Sequence, residues 1–131
     1  MEDKFQLEII SPEKIIFSDS VKMVKIPSYE GDMSILNNHI SIITFLRPGI
    51  IKVEKNDGNF EELLVQDGTV EFFGENLVIL SASAINVKNL SKEFLNNLQK
   101  EAEEMLAKEN INDQDRYILN HKIDMIKEIR V

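Results

Sequence analysis

Val87-Lys88-Asn89-Leu90-Ser91-Lys92-Glu93-Phe94 separates two stretches of chain with different hydrophobic periods. Beyond Asn89 there is no Gly and no Pro. Ser91 can N-cap a helix, and Glu93 falls in the first turn, where the helix dipole favours a negative charge. Phe94, Leu98, Ala102, Met105 and Leu106 then recur with a period near 3.6 and share one face. Asn110-Ile111-Asn112 interrupts the pattern, and Asn112, followed by Asp113 and Asp115, can start a second helix. Its stripe is Leu119, Ile123 and Ile126, with Ile118, Met125 and Ile129 beside it. Two amphipathic helices joined by a short loop predict an antiparallel two-helix hairpin over residues 88–131, each stripe packing on its partner.

Upstream of the boundary the period is two. Phe5, Leu7 and Ile9 alternate with polar residues, as do Val24 and Ile26 before Pro27, and Ile51 and Val53 around Lys52. Leu77-Val78-Ile79-Leu80 is denser, as expected for a strand covered on both faces. Asn56-Asp57-Gly58-Asn59 reads as a hairpin turn, because Asp-Gly tolerates positive φ. Pro48-Gly49 and Asp67-Gly68 punctuate other strand starts. About ten short strands at this spacing predict a β-sandwich over residues 1–87. Strands first and helices last give a segregated α+β class rather than alternating βαβ units.

The 131 residues suffice for one core, since a chain of this size buries roughly two-thirds of its unfolded surface. A net charge of −8 argues against general nucleic-acid binding and against electrostatic attachment to anionic lipid. With no Cys, disulfide and thiolate chemistry are excluded. Met1-Glu2-Asp3-Lys4 lacks a basic stretch before an apolar one, so no signal peptide is expected. No apolar run approaches the ~20 residues that span a bilayer, so direct membrane insertion is not expected.

Catalytic constellations are sparse. The two histidines, His39 and His121, lie in different halves, and no P-loop, HExxH or Ser-His-Asp arrangement is present. Glu30, Asp32 and His39 could in principle hold a metal, but their spacing matches no strong ligand pattern. Glu61-Glu62 and Glu103-Glu104 are consecutive pairs whose side chains diverge, as solvated charges do. No cofactor, no metal and no catalytic residue is therefore expected. The segment from Glu30 to His39 reads as a long loop carrying Met33, Ile35 and Leu36 among polar residues, which suits an interaction surface.

At this segment the chain resembles a known family. Glu30-Gly31-Asp32-Met33, His39, Thr44, Leu46 and Arg47-Pro48-Gly49 are similar to the epsilon-subunit family of F-type ATP synthases. That family's pattern runs roughly Glu-Gly-x-x-Gly-x-x-Pro-Gly-His-x-Pro-Leu-x-Thr-x-Leu-x-Pro-Gly. Phe5-Gln6-Leu7-Glu8-Ile9-Ile10-Ser11-Pro12, Val65-Gln66-Asp67-Gly68-Thr69-Val70-Glu71-Phe72 and Val78-Ile79-Leu80-Ser81-Ala82-Ser83-Ala84 continue the likeness over nearly the whole chain. Ser34 replaces a usual Gly, Asn37-Asn38 replaces Pro-Gly, Ser41 replaces Pro, and Asp67 replaces the first of two glycines. The Asn pair can turn through positive φ, and Ser34 is strained if its φ is positive.

The resemblance implies a non-catalytic rotor subunit of the central stalk that couples proton flow to ATP synthesis. By position, Glu30, Gly31, Asp32, Met33 and His39 would face the c-ring, while Ser11, Ile42 and Thr44 would lie toward the gamma subunit. The hairpin would fold on the sandwich, or extend along gamma and inhibit hydrolysis by meeting the alpha and beta subunits through Arg116, Lys122, Lys127 and Arg130. From Asp113 onward those four basic residues face four acidic ones (Asp113, Asp115, Asp124, Glu128), so only modest inhibition is expected. Some members bind ATP through a motif resembling Ile/Leu-Asp-x-x-Arg-Ala. Leu90-Ser91-Lys92-Glu93-Phe94-Leu95 lacks both the Asp and the Arg, so weak or no ATP binding is expected. The implied location is the cytoplasmic face of the bacterial inner membrane, held there by other subunits; a mature mitochondrial homologue, called delta, would read the same way. Two other classes remain as alternatives: a stand-alone β-sandwich ligand-binding module, against which the lack of Trp counts, and a small metal-dependent enzyme built on Glu30, Asp32 and His39.

Overall fold

A computed structural model describes residues 3–129. Its order is β1 (Phe5–Ile10), β2 (Ile15–Ser28), β3 (Gly31–Ile35), β4 (Ile42–Leu46), β5 (Gly49–Lys55), β6 (Phe60–Val65), β7 (Gly68–Phe73), β8 (Asn76–Leu80) and β9 (Ile85–Asn86). A 3₁₀ turn, Val87–Asn89, then leads to α1 (Lys92–Leu106) and α2 (Asp113–Ile129). Nine strands occur among the described residues, where the spacing suggested about ten.

The hydrogen-bonded path runs β1-β8-β7-β4-β2-β5-β6-β9, with β3 on β2 and a further β1–β2 pairing. The long strand β2 belongs to both layers. Its first half pairs with β1, and its second half with β3 and β5. Register shifts at Ile9/Ile10 and Val21/Met23 are the irregularities that bend such a strand from one layer into the other. β1 lies parallel to β8 and antiparallel to β2.

Alternation fills the interior as expected. Phe5, Leu7 and Ile9 from β1 meet Phe72, Leu77 and Ile79 from one layer and Val24, Ile51 and Val53 from the other. Phe5 and Phe72 meet edge to face with centroids 5.5 Å apart. Each such buried side chain contributes roughly 1.5–3 kcal/mol, against at most about 1 kcal/mol for a half-exposed ion pair such as Lys52–Glu62. Apolar burial therefore decides the sandwich. The turn at Asn56–Asn59 forms as read: Gly58 has φ of 87°, and the Asp57 carboxylate accepts the Asn59 amide at 2.9 Å. That hydrogen bond holds the Asp57 carboxyl below its usual range. Pro48-Gly49 has a steric reason: a Cβ at Gly49 would lie 2.5 Å from Cβ of Pro27, itself buried in β2.

Residues Glu30 to His39 are not a long loop, because Gly31–Ile35 forms β3, paired with β2 from Val24 to Ser28. Its Gly, Asp and Ser have poor strand propensity, and backbone pairing with β2 overrides it. Ser34 sits in that strand, and no non-glycine among the described residues has positive φ. Asn37-Asn38 therefore turns with negative φ, closed by the His39 amide on the Leu36 carbonyl at 3.0 Å. Leu77–Leu80 is covered on one face only: Leu77 and Ile79 are buried, whereas Leu80 is 50% exposed.

Both helix starts form as predicted. Ser91 Oγ accepts the Phe94 amide at 3.0 Å, and Asn112 Oδ1 accepts the Asp115 amide at 2.7 Å. The inner face of α1 is rotated from the predicted one: Leu95, Leu98 and Ala102 are buried and Met105 is exposed. The rotation arises because α1 must cover the sandwich as well as α2. Leu95, Leu98, Met125 and Ile126 form one cluster with Leu64 of β6, and Ile50 of β5 packs against it.

Candidate interaction surfaces

The first surface follows from strand parity. On β4 the side chains of Ile42, Thr44 and Leu46 turn inward, leaving Ile43 and Phe45 outward at 75% and 59% exposure. Register extends that face across the sheet. Phe45 lies beside Thr69, which lies beside Leu80, while Ile43 lies beside Glu71, which lies beside Val78. Phe73 is also exposed. Ile43, Phe45, Phe73 and Leu80, interspersed with the exposed Thr69 and Glu71, form a largely apolar, unpartnered band on β4, β7 and β8, too large a set to be scattered surface hydrophobics. At one end the band runs into a groove of about 930 Å³ lined by Ile10, Ser11, Tyr29, Phe45, Leu80 and Gln114, among others. Ser11 sits at its rim but is buried, its Oγ bonded to the Lys14 backbone, and Thr44 is buried too. Of the residues Ser11, Ile42 and Thr44, none offers a freely exposed side chain. Any partner of β4 meets Ile43 and Phe45 first, one residue away from the expected parity.

The second surface is the β2–β3 region, and it separates residues that the sequence grouped. Glu30 and Gly31 sit at the β2–β3 turn, whereas His39 follows the turn at the far end of β3, about 13 Å of strand away. Met33 packs against the core, and Asp32 faces outward. His39 lies edge-on to Phe72 at 6.1 Å, with Nδ1 2.7 Å from the Ile40 carbonyl oxygen. Glu30, Asp32 and His39 are thus not a cluster, and among the described residues no group of three His, Asp or Glu side chains is placed to hold a metal.

Asp32 instead enters the junction with α2. Arg47 Nη2 donates to Asp32 Oδ1 at 2.9 Å, Arg47 Nε donates to the Ser28 carbonyl at 3.0 Å, and Nη1 lies 3.0 Å from His121 Nδ1. Tyr117 stacks on Tyr29 at 5.7 Å and donates its hydroxyl to the Tyr29 carbonyl at 2.9 Å. Burial first, then the Arg47 charge, lowers the His121 pKa from its ordinary value near 6.5. No local pattern in the sequence marks this Arg47–His121 junction. Arg47 and His121 are 74 residues apart, and neither obeys a local period. The one local signal was Leu63-Leu64-Val65, three successive apolar residues that all prove buried because the hairpin covers the outer face of β6.

Of the four basic residues assigned to the hairpin, Arg116 and Lys127 are exposed and Lys122 is half-buried. Arg116 and Lys127 lie about three turns apart on one face, with Lys122 roughly 120° away, so they make no single basic stripe. Arg130 lies outside the described residues. No helix among the described residues is long and apolar enough to cross a membrane.

Comparison with known proteins agrees with this architecture. The family described as "ATP synthase, Delta/Epsilon chain, beta-sandwich domain" matches residues 4–87. The ATP synthase epsilon chain of Pelagibacter ubique (strain HTCC1062) is 42% identical over 130 residues, covering 98% of this chain and 99% of the relative. That of Parvibaculum lavamentivorans is 33% identical over 130 residues, covering 99% and 98%. Among solved structures, a chain of the Euglena gracilis mitochondrial ATP synthase, from an assembly of OSCP, F1 and c-ring, superposes with a TM-score of 0.81 at 19% identity, covering 100% of this chain and 84% of that one. A chain of the Tetrahymena thermophila mitochondrial ATP synthase central stalk and c-ring gives 0.62 at 15% identity, covering 96% of each.

Proposed function

Because the chain belongs to the ATP synthase delta/epsilon-chain family, we propose that it is a rotor subunit of the central stalk, coupling proton flow to ATP synthesis without performing chemistry itself. The observation that carries this reading is the match to curated epsilon chains from end to end, hairpin included. The exposed apolar band then has a purpose. A torque-transmitting part needs a broad, dry face on a rigid frame, and Ile43, Phe45, Phe73 and Leu80 supply one for the gamma subunit. Glu30 and Gly31 at the β2–β3 turn would meet the polar loops of the c-ring, with His39 making a separate contact.

In this reading residues 1–87 are the coupling head and 88–131 the hairpin. The hairpin inhibits ATP hydrolysis only modestly, since four basic residues from Asp113 onward are matched by four acidic ones and Arg116, Lys122 and Lys127 form no basic stripe. The subunit would sit on the cytoplasmic face of the inner membrane, held there by its neighbours. A stand-alone ligand-binding module is not favoured: the band is an open sheet face, and the full-length relatives are epsilon chains.

Co-expression of a tagged chain with gamma tests the proposal. Stoichiometric capture of gamma is expected, and failure of the folded chain to capture it would remove the main support.

A further inference from the structure

The contact between α2 and the head has a chemistry that depends on protonation. Arg47 is nearly buried, its side chain 14% exposed, and two of its three donating nitrogens are committed to Ser28 and Asp32. The third, Nη1, points at His121 Nδ1 from 3.0 Å. A guanidinium has donors only, so Nδ1 must accept, which requires a neutral ring carrying its proton on Nε2. Tyr117, one turn earlier on α2, lies against His121 with ring centroids 4.4 Å apart and bonds the Tyr29 carbonyl. Successive turns of α2 therefore grip the β2–β3 turn and Arg47 together.

We propose that Arg47 and His121 form a proton-sensitive latch, which holds the hairpin on the head while His121 is neutral and loosens it when His121 takes a proton. Protonation removes the acceptor and sets a second positive charge against the guanidinium. The charged groups around the ring are Arg47, Asp32, Lys25 and Lys52 from the head and Asp124 and Glu128 from α2, all lining one cleft of about 120 Å³; α1 contributes none to it. Asp124 and Asp32 favour the charged ring, but Asp32 is already engaged by Arg47 and by Lys25. Burial and Arg47 prevail and lower the pKa from 6.5. The sign follows: a released hairpin binds the proton more readily than a docked one, so docking strengthens with rising pH. The latch contribution is complete above about pH 6.5 and is lost as pH falls from there through the lower docked value. Any effect on hydrolysis rests on the reading that the hairpin leaves the head; the latch itself does not.

The test uses the full-length chain. NMR titration follows the two histidine rings, assigned with the His121→Asn variant, and amide exchange follows α2 after correction for its intrinsic pH dependence. Expected are a His121 pKa below 6.5 and an α2 opening constant that rises severalfold from pH 8 to pH 5. In His121→Asn, which keeps an acceptor near the place of Nδ1 and cannot take a proton, the change should stay within about twofold. Tyr117→Phe should open more at every pH and keep the wild-type pH response. A His121 pKa at or above 6.5, or the same pH response in His121→Asn, overturns the latch. If His121→Asn is already undocked at pH 8, the wild-type titration decides alone. Capture of gamma without a pH response sinks the latch and leaves the rotor reading. A pH response without capture does the reverse.

Discussion

Leu64→Ala isolates how firmly the hairpin is held. Leu64 sits on β6 between Ile50 and Ile85 in register, and it is fully buried. Its neighbours Leu63 and Val65 point into the sandwich core, but Leu64 points out and clusters with Leu95, Leu98, Met125 and Ile126 of the hairpin, with Ile50 of β5 packed beside them. Truncating a buried Leu to Ala costs about 2–5 kcal/mol, depending on how far the cavity collapses. Here Met125 is unbranched and can follow the retreating surface, so the lower part of that range applies, about 2–3 kcal/mol. Nearly all of it falls on docking, because the head core is untouched. The hairpin opening constant should then rise roughly 30- to 150-fold. Amide exchange on one sample reads both parts: α1 and α2 should lose protection by that factor while β1 and β5 keep theirs. Equal loss in helices and strands would refute the reasoning, since hairpin and head would then be one cooperative unit.

Other outcomes follow from the same geometry. Gly49→Ala should lower the urea midpoint, at a cost of about 1–3 kcal/mol, because the rigid Pro27 ring 2.5 Å from the new Cβ cannot retreat; an unchanged midpoint would remove the steric reason given for this glycine. Phe45→Asp combined with Ile43→Asp should abolish capture of gamma while shifting stability by less than about 1 kcal/mol, as both side chains already face solvent. Calorimetry of the chain with ATP should show no tight binding. A sub-micromolar site would mean that residues other than the missing Asp and Arg bind the nucleotide.

Sequence periodicity found what local chemistry dictates. Phe5, Leu7 and Ile9 fill the core, Asp57-Gly58 turns, and Ser91 and Asn112 cap their helices, because each depends on neighbours within a few residues. The misread parts depend on distant partners. β3 looked like a loop because its propensity is poor and β2, not its own composition, makes it a strand. Leu80 looked internal because an exposed apolar residue and a core residue have the same chemistry. The resemblance points to Ile42 and Thr44, which face inward on β4, while Ile43 and Phe45 face outward; one residue in a strand exchanges the faces. The Arg47–His121 contact had no local signature at all.

The placement of β1 has a mechanical meaning. It is held along six register pairs by β2 on one side and along five by β8 on the other. Load entering the head through Leu80 has one route to the β2–β3 turn across β8, then β1, then β2. By contrast β4 joins β2 through the one register pair Ser28–Leu46, flanked by the Tyr29 amide on the Phe45 carbonyl and the Arg47 amide on the Pro27 carbonyl. Twisting the head should therefore strain the seam between β4 and β2 first and leave the β8-β1-β2 ladder as its stiff shaft.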